Sequence, residues 1–323
     1  MTVRIALLAA GGTIACTLDG EGYAVKTLAA ADLAATFPAP RGVELVTVDY
    51  GQLSSWNITT GQMLDLARTV DGLLEQHDGV VVTYGTDTLE ETAAFLSFAV
   101  RSPRPVVVTG AMRNMSMPGA DGPANLLAAT LVAADPGAAG RGALVVLADE
   151  AHRAVEVTKR HSNHPATFGA PSGGPVGWIE LGRVLWRGPA GGRTTYAVER
   201  ADMDVPLVVA AAGMGPAVVE RAVEGCAGVV VAGFGLGHVP AAWLPPLAGA
   251  VTRGVPVVLT SRTHAGPTGA LYRGDGGGVS VRDSGIIQAG YRTPYAARIE
   301  LICALGAGLD LDDVRAAFAA PLP

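Results

Sequence analysis

The chain has 323 residues, 49% apolar and 16% charged, with a formal net charge of −6. That much apolar material excludes a disordered chain and allows a sizeable core. The acidic balance, with no basic stripe, argues against nucleic acid as the main partner.

In chain order, residues 3–10 read as a first strand rather than a leader, because Gly11-Gly12-Thr13 follows at once with no cleavage region between. A polar loop at 16–27 leads to a short helix at 29–36, stopped by Pro38, and a strand at 43–48. Ser54-Ser55-Trp56-Asn57 reads as a turn. A helix follows at 60–76, with Met63, Ala67, Val70 and Leu74 on one face at helical spacing. Residues 79–83 form a short β-branched run that ends at Tyr84-Gly85, before a helix over 89–100. Further strands are expected at 105–109 and 142–148, with a helix at 125–134 between them. Strands alternating with helices imply a mainly parallel, doubly wound sheet.

The pattern changes at 152–175, a polar stretch without periodicity, and a hairpin is expected within 176–185. Residues 187–204, with Gly188-Pro189 and Gly191-Gly192, read as a linker. A second α/β pattern then begins, with strands at 207–211, 228–232 and 256–260 and helices at 215–224 and 240–252. An irregular strand is expected at 279–287, then helices at 294–306 and 311–319. The fold class is therefore two-domain α/β. The larger N-terminal domain spans 1–186, the linker 187–204, and a smaller C-terminal α/β domain 205–323. No apolar stretch is long enough to span a membrane. Cys16, Cys226 and Cys303 are too far apart for a disulfide framework or a paired-cysteine zinc motif and suit a reducing, cytoplasmic setting.

Three segments place hydroxyls after strands: Gly11-Gly12-Thr13, Ser54-Ser55 and Gly85-Thr86-Asp87-Thr88. In open α/β sheets, ligands sit in the crevice beyond the carboxyl ends of the strands. A hydroxyl nucleophile there needs a base, and Lys159, Asp87 and Tyr23 are the candidates. Plainer readings stay open beside this one. Thr86, Asp87 and Thr88 can serve merely as helix caps, Thr13 as a turn residue, and Lys159 as a solvated lysine. The glycines match neither a P-loop nor a dinucleotide fingerprint. His161 and His164 have no acidic or cysteine partner beside them, so no metal site is expected.

These residues converge on a family. The sequence resembles the bacterial-type L-asparaginases, the asparaginase/glutaminase amidohydrolases. Leu8-Ala9-Ala10-Gly11-Gly12-Thr13-Ile14-Ala15 is similar to the first family signature, and Tyr84-Gly85-Thr86-Asp87-Thr88-Leu89-Glu90-Glu91-Thr92-Ala93 to the second. Gly110-Ala111-Met112-Arg113, Ala120-Asp121-Gly122-Pro123 and Val157-Thr158-Lys159 match further family segments in order. The resemblance implies hydrolysis of L-asparagine to L-aspartate and ammonia through a threonine acyl-enzyme, without metal or cofactor. It makes Thr13 the nucleophile, Tyr23 the lid tyrosine, Thr86 the second catalytic threonine and Lys159 its partner. Ser55 would bind the substrate α-carboxylate and Asp87 its ammonium, with backbone N–H groups near Ala111 and Thr86 stabilising the oxyanion. It also implies a homotetramer, a dimer of dimers in which one subunit's C-terminal domain closes its neighbour's site; His238 or a neighbour is the expected contributor, as the first polar side chain after the glycine run at 233–237. Glutamine or another small amide as substrate, and a non-catalytic amino-acid sensor, are the alternatives. Tyr84, Ala10 and Trp56 stand where the family usually has histidine, threonine and glutamine. These departures bear on substrate preference more than on the chemistry.

Overall fold

The valine-rich runs of the first half become strands because β-branched side chains suit a pleated surface covered on both faces. The computed structural model describes residues 2–320 and divides the chain into two units, one ending at Thr195 and one beginning at Tyr196. In the first, β1 (Val3–Gly11) is followed by β2 (Cys16–Leu18), β3 (Ala24–Lys26), α1 (Ala30–Ala34), β4 (Val43–Leu53), α2 (Thr60–Leu74), β5 (Gly79–Thr83) and α3 (Leu89–Ala99). Then come β6 (Val106–Thr109), α4 (Gly122–Ala134), β7 (Ala143–Leu147), β8 (Glu150–Arg153), β9 (Thr158–Lys159), β10 (Phe168–Gly169), β11 (Gly177–Glu180) and β12 (Arg183–Trp186).

Eight of these strands form one sheet in the order β12-β11-β8-β7-β6-β5-β1-β4. From β4 to β7 every pairing is parallel, and β8, β11 and β12 add an antiparallel flank. Every residue of β5, β6 and β7 is buried. The chain leaves β1 for β4 on one side and returns across it to β5 on the other, so the strand order reverses at β1. Such a reversal opens the crevice in which α/β proteins bind ligands.

Local sequence explains the helices around it. Thr59 and Gln62 close a capping box at the start of α2, with the Gln62 N–H donating to Thr59 Oγ1 at 3.2 Å and the Thr59 N–H to Gln62 Oε1 at 2.9 Å. Met63, Ala67, Val70 and Leu74 of α2 are buried, as their spacing predicts. In α3 all residues but Glu91 are buried, so this helix is enclosed all round rather than amphipathic.

The second unit holds β13 (Leu207–Val209), α5 (Ala217–Ala222), β14 (Val229–Gly233), α6 (Leu244–Thr252), β15 (Val257–Ser261), α7 (Gly278–Asp283), β16 (Ile287–Gln288), α8 (Pro294–Gly306) and α9 (Leu311–Ala319). Its four strands form a parallel sheet in sequence order. Its core gathers Trp243, Val229, Val231, Leu247, Val257 and Leu259. Among the described residues no helix is long and apolar enough to cross a membrane.

Three expectations are corrected. The polar loop at 16–27 contains a hairpin, with Cys16 paired to Lys26 and Leu18 to Ala24. The strand expected to stop at 48 runs on to Leu53, across an irregularity in register between Ala9 and Gly11. It lies at the edge of the sheet, where its polar residues face water. The irregular strand expected over 279–287 is mostly helix. Val279 and Val281 alternate as in a strand, but Gly277 and Gly278 let the backbone close against Tyr272 and Gly269, and the Val279 N–H donates to Tyr272 O at 3.0 Å.

Candidate active site

The ends of β4, β1, β5 and β6 lie side by side in the sheet, and each leads into a segment that carries candidate chemistry. They meet around the second glycine signature. Gly12 has φ +92°, and a Cβ there would stand 2.5 Å from the Tyr84 carbonyl. A Cβ on Gly85 would stand 2.5 Å from Ser55 Oγ and 3.6 Å from Gly12 Cα. Glycine is needed at both positions because backbone passes directly over backbone or hydroxyl. The strand ends thus come close enough to share one small crevice.

Four side chains there form a continuous polar chain. Lys159 Nζ donates to Thr86 Oγ1 at 3.0 Å and to Asp87 Oδ1 at 2.9 Å. Ser55 Oγ donates to Asp87 Oδ2 at 3.4 Å, and Thr88 Oγ1 donates to the Ser55 carbonyl at 2.8 Å. Thr86 and Ser55 are buried, whereas the Asp87 side chain is 52% exposed and Lys159 only 16%. The plain capping reading of 86–88 fails in the structure. Thr88 is the N-cap of α3 but makes no capping hydrogen bond; its hydroxyl instead donates to the Ser55 carbonyl. Lys159 is not a free surface lysine either. β9 pairs with β10 and holds it against this cluster.

Thr13, Tyr23, Ala111 and His238 lie outside that hydrogen-bonded chain. Thr13 begins a single 3₁₀ turn after Gly12 and is half-buried, with Ile14 and Ala15 buried behind it. Ala111 is fully buried at the start of the loop after β6. Asp121 shapes that loop by accepting the Met112 N–H at 3.0 Å and the Arg113 N–H at 2.8 Å, while Asn125 Nδ2 donates to Gly110 O at 2.9 Å. Tyr23 stands 68% exposed in the turn of the β2–β3 hairpin, its N–H donating to Asp19 Oδ1 at 2.9 Å. His238 belongs to the second unit, where its ring meets Tyr272 edge-on at 5.2 Å.

Sequence reading passed over Lys26 and Glu90. Lys26 Nζ donates to Gln52 O at 2.7 Å and Ser54 Oγ at 2.9 Å, which ties the Tyr23 hairpin to the end of β4. A signal was present in composition. Of 23 basic residues only Lys26 and Lys159 are lysines, and both lie at these strand ends. A chain that otherwise uses arginine places the shorter, more strongly hydrated cation there. Among the described residues no group of three or more His, Cys, Asp or Glu side chains is placed to hold a metal. Cys16 lies next to the Thr13 turn, but burial pushes its thiol up and its Sγ–H donates to Gly12 O at 3.3 Å.

Comparison with known proteins agrees with this architecture. The family model described as "Asparaginase, N-terminal" matches residues 4–190, and that described as "Glutaminase/Asparaginase C-terminal domain" matches 204–318. The chain belongs to the asparaginase family. It is 37% identical to a probable L-asparaginase of Deinococcus radiodurans, over 98% of this chain and 97% of the relative. It is 35% identical to a probable periplasmic L-asparaginase of Haemophilus influenzae, over 94% and 88%, and 33% identical to L-asparaginase 2 of Escherichia coli, over 98% and 92%. Of the departures from the family pattern, Tyr84 is fully buried, and burial pushes its phenol up against the opposing pull of the Thr92 and Thr88 hydroxyls. Trp56, 69% exposed, presents an indole beside Ser55 where the family usually has an amide.

Proposed function

We propose that this asparaginase-family protein hydrolyses L-asparagine to L-aspartate and ammonia. The observation that carries the reading is the Ser55–Asp87–Lys159–Thr86 chain. An α-amino acid presents an ammonium and a carboxylate on one carbon. Asp87 supplies the complementary charge for the first, and Ser55, in hydrogen-bond reach of Asp87, supplies a donor for the second. Thr86, bonded to Lys159, is then left for the chemistry.

In this mechanism Thr13 Oγ attacks the side-chain amide carbon, and backbone N–H groups near Ala111 and Thr86 stabilise the oxyanion. The Thr13 proton passes to the departing nitrogen, ammonia leaves, and an ester remains. Water then attacks that ester, its proton relayed by Thr86 and Lys159, and the Thr13 hydroxyl is restored as aspartate departs. Tyr23, carried on the hairpin anchored by Lys26, closes over the substrate. No metal or cofactor enters any of these steps. The active unit is proposed as a homotetramer built from dimers, with His238 reaching a neighbouring site. The protein is read as cytoplasmic from its three free, buried cysteines, and cell fractionation tests this against the periplasmic naming of the Haemophilus relative.

Ammonia release across amides tests the substrate. L-asparagine is expected to exceed propionamide by at least about 10³-fold in kcat/KM, because an amide without the α-groups leaves Asp87 and Ser55 unmatched. Comparable values would refute an amino-acid substrate, and no turnover of any amide would favour a sensor. The name of the C-terminal family model supports a second reading, glutamine as substrate, which the same screen decides.

Thr86 and Lys159 are expected to behave as one unit. Lys159→Met and Thr86→Val should each lower kcat by about 10²–10⁴-fold, the usual range for a proton-transfer group. The double variant should be little worse than either single. Free-energy losses that add in the double variant would show two independent roles.

A further inference from the structure

Glu90 has no part in the scheme above, yet it is placed against it. It occupies the second position of α3 and is only 8% exposed, in a helix that is otherwise enclosed. Its Oε2 is buried without a hydrogen-bond partner. The donors that face its carboxyl are the Thr158 hydroxyl and the Lys159 backbone N–H, from the two residues that make up β9. A carboxyl in such a place costs desolvation that leucine or glutamine would avoid. Its position at the seam between α3 and β9 supplies a reason for it.

We propose that Glu90 is a positioning residue for Lys159: its carboxyl engages β9 from the first turn of α3 and so ties the strand that carries the lysine to the helix that follows Thr86 and Asp87. The inference rests on the asparaginase reading for its effect on turnover, but not for the contact itself.

The surroundings make this tie sensitive to pH. Burial pushes Glu90 up to about 7, the Thr158 hydroxyl and the Lys159 N–H and charge oppose that rise, and Glu91 reinforces it. Among the described residues, Glu91 and Lys159 are the charges that act on it. β6 and β7 present valine, leucine, alanine and Thr109. On α2, Asp65 and Arg68 are exposed, and Asp71 accepts the Arg101 N–H. Above about 7 the carboxylate is an acceptor only and faces the two donors of β9. Below that pH the proton sits on the unpartnered Oε2, and the negative charge that acts on Lys159 is lost. The sign for stability is opposite to that of a carboxylate stabilised in its charged form by a partner. The folded value lies above the ordinary 4.5, so the contribution of Glu90 to stability is fully present below 4.5 and is lost as pH rises through about 7.

Because the chain has only two lysines, ¹³C-lysine labelling yields two side-chain Cε signals, separable by Lys26→Arg. The Lys159 signal is expected to inflect with a midpoint near 7 in the native protein and to lose that inflection in Glu90→Gln. Glu90→Gln should also lower kcat by about 10- to 100-fold, with KM held within about twofold, as expected for a displaced proton-transfer group. The kcat profile should lose its limb near pH 7. Thr158→Val, which removes one donor, should raise the Glu90 carboxyl midpoint read by ¹³C-glutamate labelling, and this serves if Glu90→Gln does not fold. A Lys159 signal blind to the Glu90 titration, or a Glu90 midpoint unmoved by Thr158→Val, overturns the proposal whatever the substrate. Coupled signals in a protein that turns over no amide leave the tie standing and remove the asparaginase reading instead.

Discussion

Replacing Thr13 by alanine is expected to lower turnover of L-asparagine by about 10⁴-fold or more, because it removes the atom proposed to form the covalent bond. The structure gives reasons to expect an intact fold. The turn at Thr13–Ala15 is set by Gly12 at φ +92° and by the buried Ile14 and Ala15, not by the threonine methyl. The thiol three residues on, that of Cys16, is kept protonated by burial and donates to Gly12 O. Steady-state kinetics beside circular dichroism will check this. A folded Thr13→Ala protein with near-native turnover would place the nucleophile elsewhere and leave the acyl-enzyme scheme without its first step.

The second large effect concerns stability and lies in the other unit. Arg292 and Glu300 form an ion pair at 2.5 Å, with side chains 3% and 1% exposed. Tyr196 Oη adds a hydrogen bond to Glu300 at 3.1 Å, and burial together with that carboxylate pushes the phenol well above its ordinary range. Arg292 also donates to the carbonyls of Ala317, Phe318 and Ala320, so it closes the C-terminal end of α9. Arg292→Leu strips the carboxylate of its counter-charge and leaves those carbonyls without their donor. The expected loss is about 3–5 kcal/mol, the usual cost of breaking a buried pair from one side. A paired Arg292→Leu/Glu300→Leu variant should recover part of it, because no unmatched charge then remains. Urea unfolding of the three proteins measures the difference. A single variant within about 1 kcal/mol of native would show that water reaches Glu300 and solvates it.

The sequence revealed most where local pattern and tertiary role coincide. The run at 79–83 is uniformly β-branched and ends in glycine, so its burial and its termination could both be read in advance. The face of α2 was legible from the spacing of Met63, Ala67, Val70 and Leu74. The hairpin in 16–27 was missed because its strands are three residues each and partly exposed, so no alternation has room to develop. The end of β4 was misplaced because Asp49, Tyr50 and Gln52 look like a turn until the edge of the sheet explains them. Residues 279–287 failed for a different reason, since the turn of helix there depends on backbone contacts with Gly269 and Tyr272. Asp87 and Lys159 could be named from motif alone, but their hydrogen bonds to Ser55 and Thr86 could not. Glu90 was invisible as a buried group, because in sequence it is one of two adjacent glutamates in the first turn of a helix, where acidic residues are commonplace.

The scarcity of lysine has a practical side. Coupling reagents that react with amines ordinarily find many expendable handles on a protein surface. Here the two lysine side chains are one that tethers a hairpin to the edge strand and one bonded to Thr86 and Asp87. The other 21 basic side chains are arginines, to which such reagents are blind. Immobilising this protein or extending it with polymer through lysine would therefore modify the candidate active site. A handle would have to be introduced elsewhere, and exposed positions such as Leu181, in the tight turn between β11 and β12, offer a place for it.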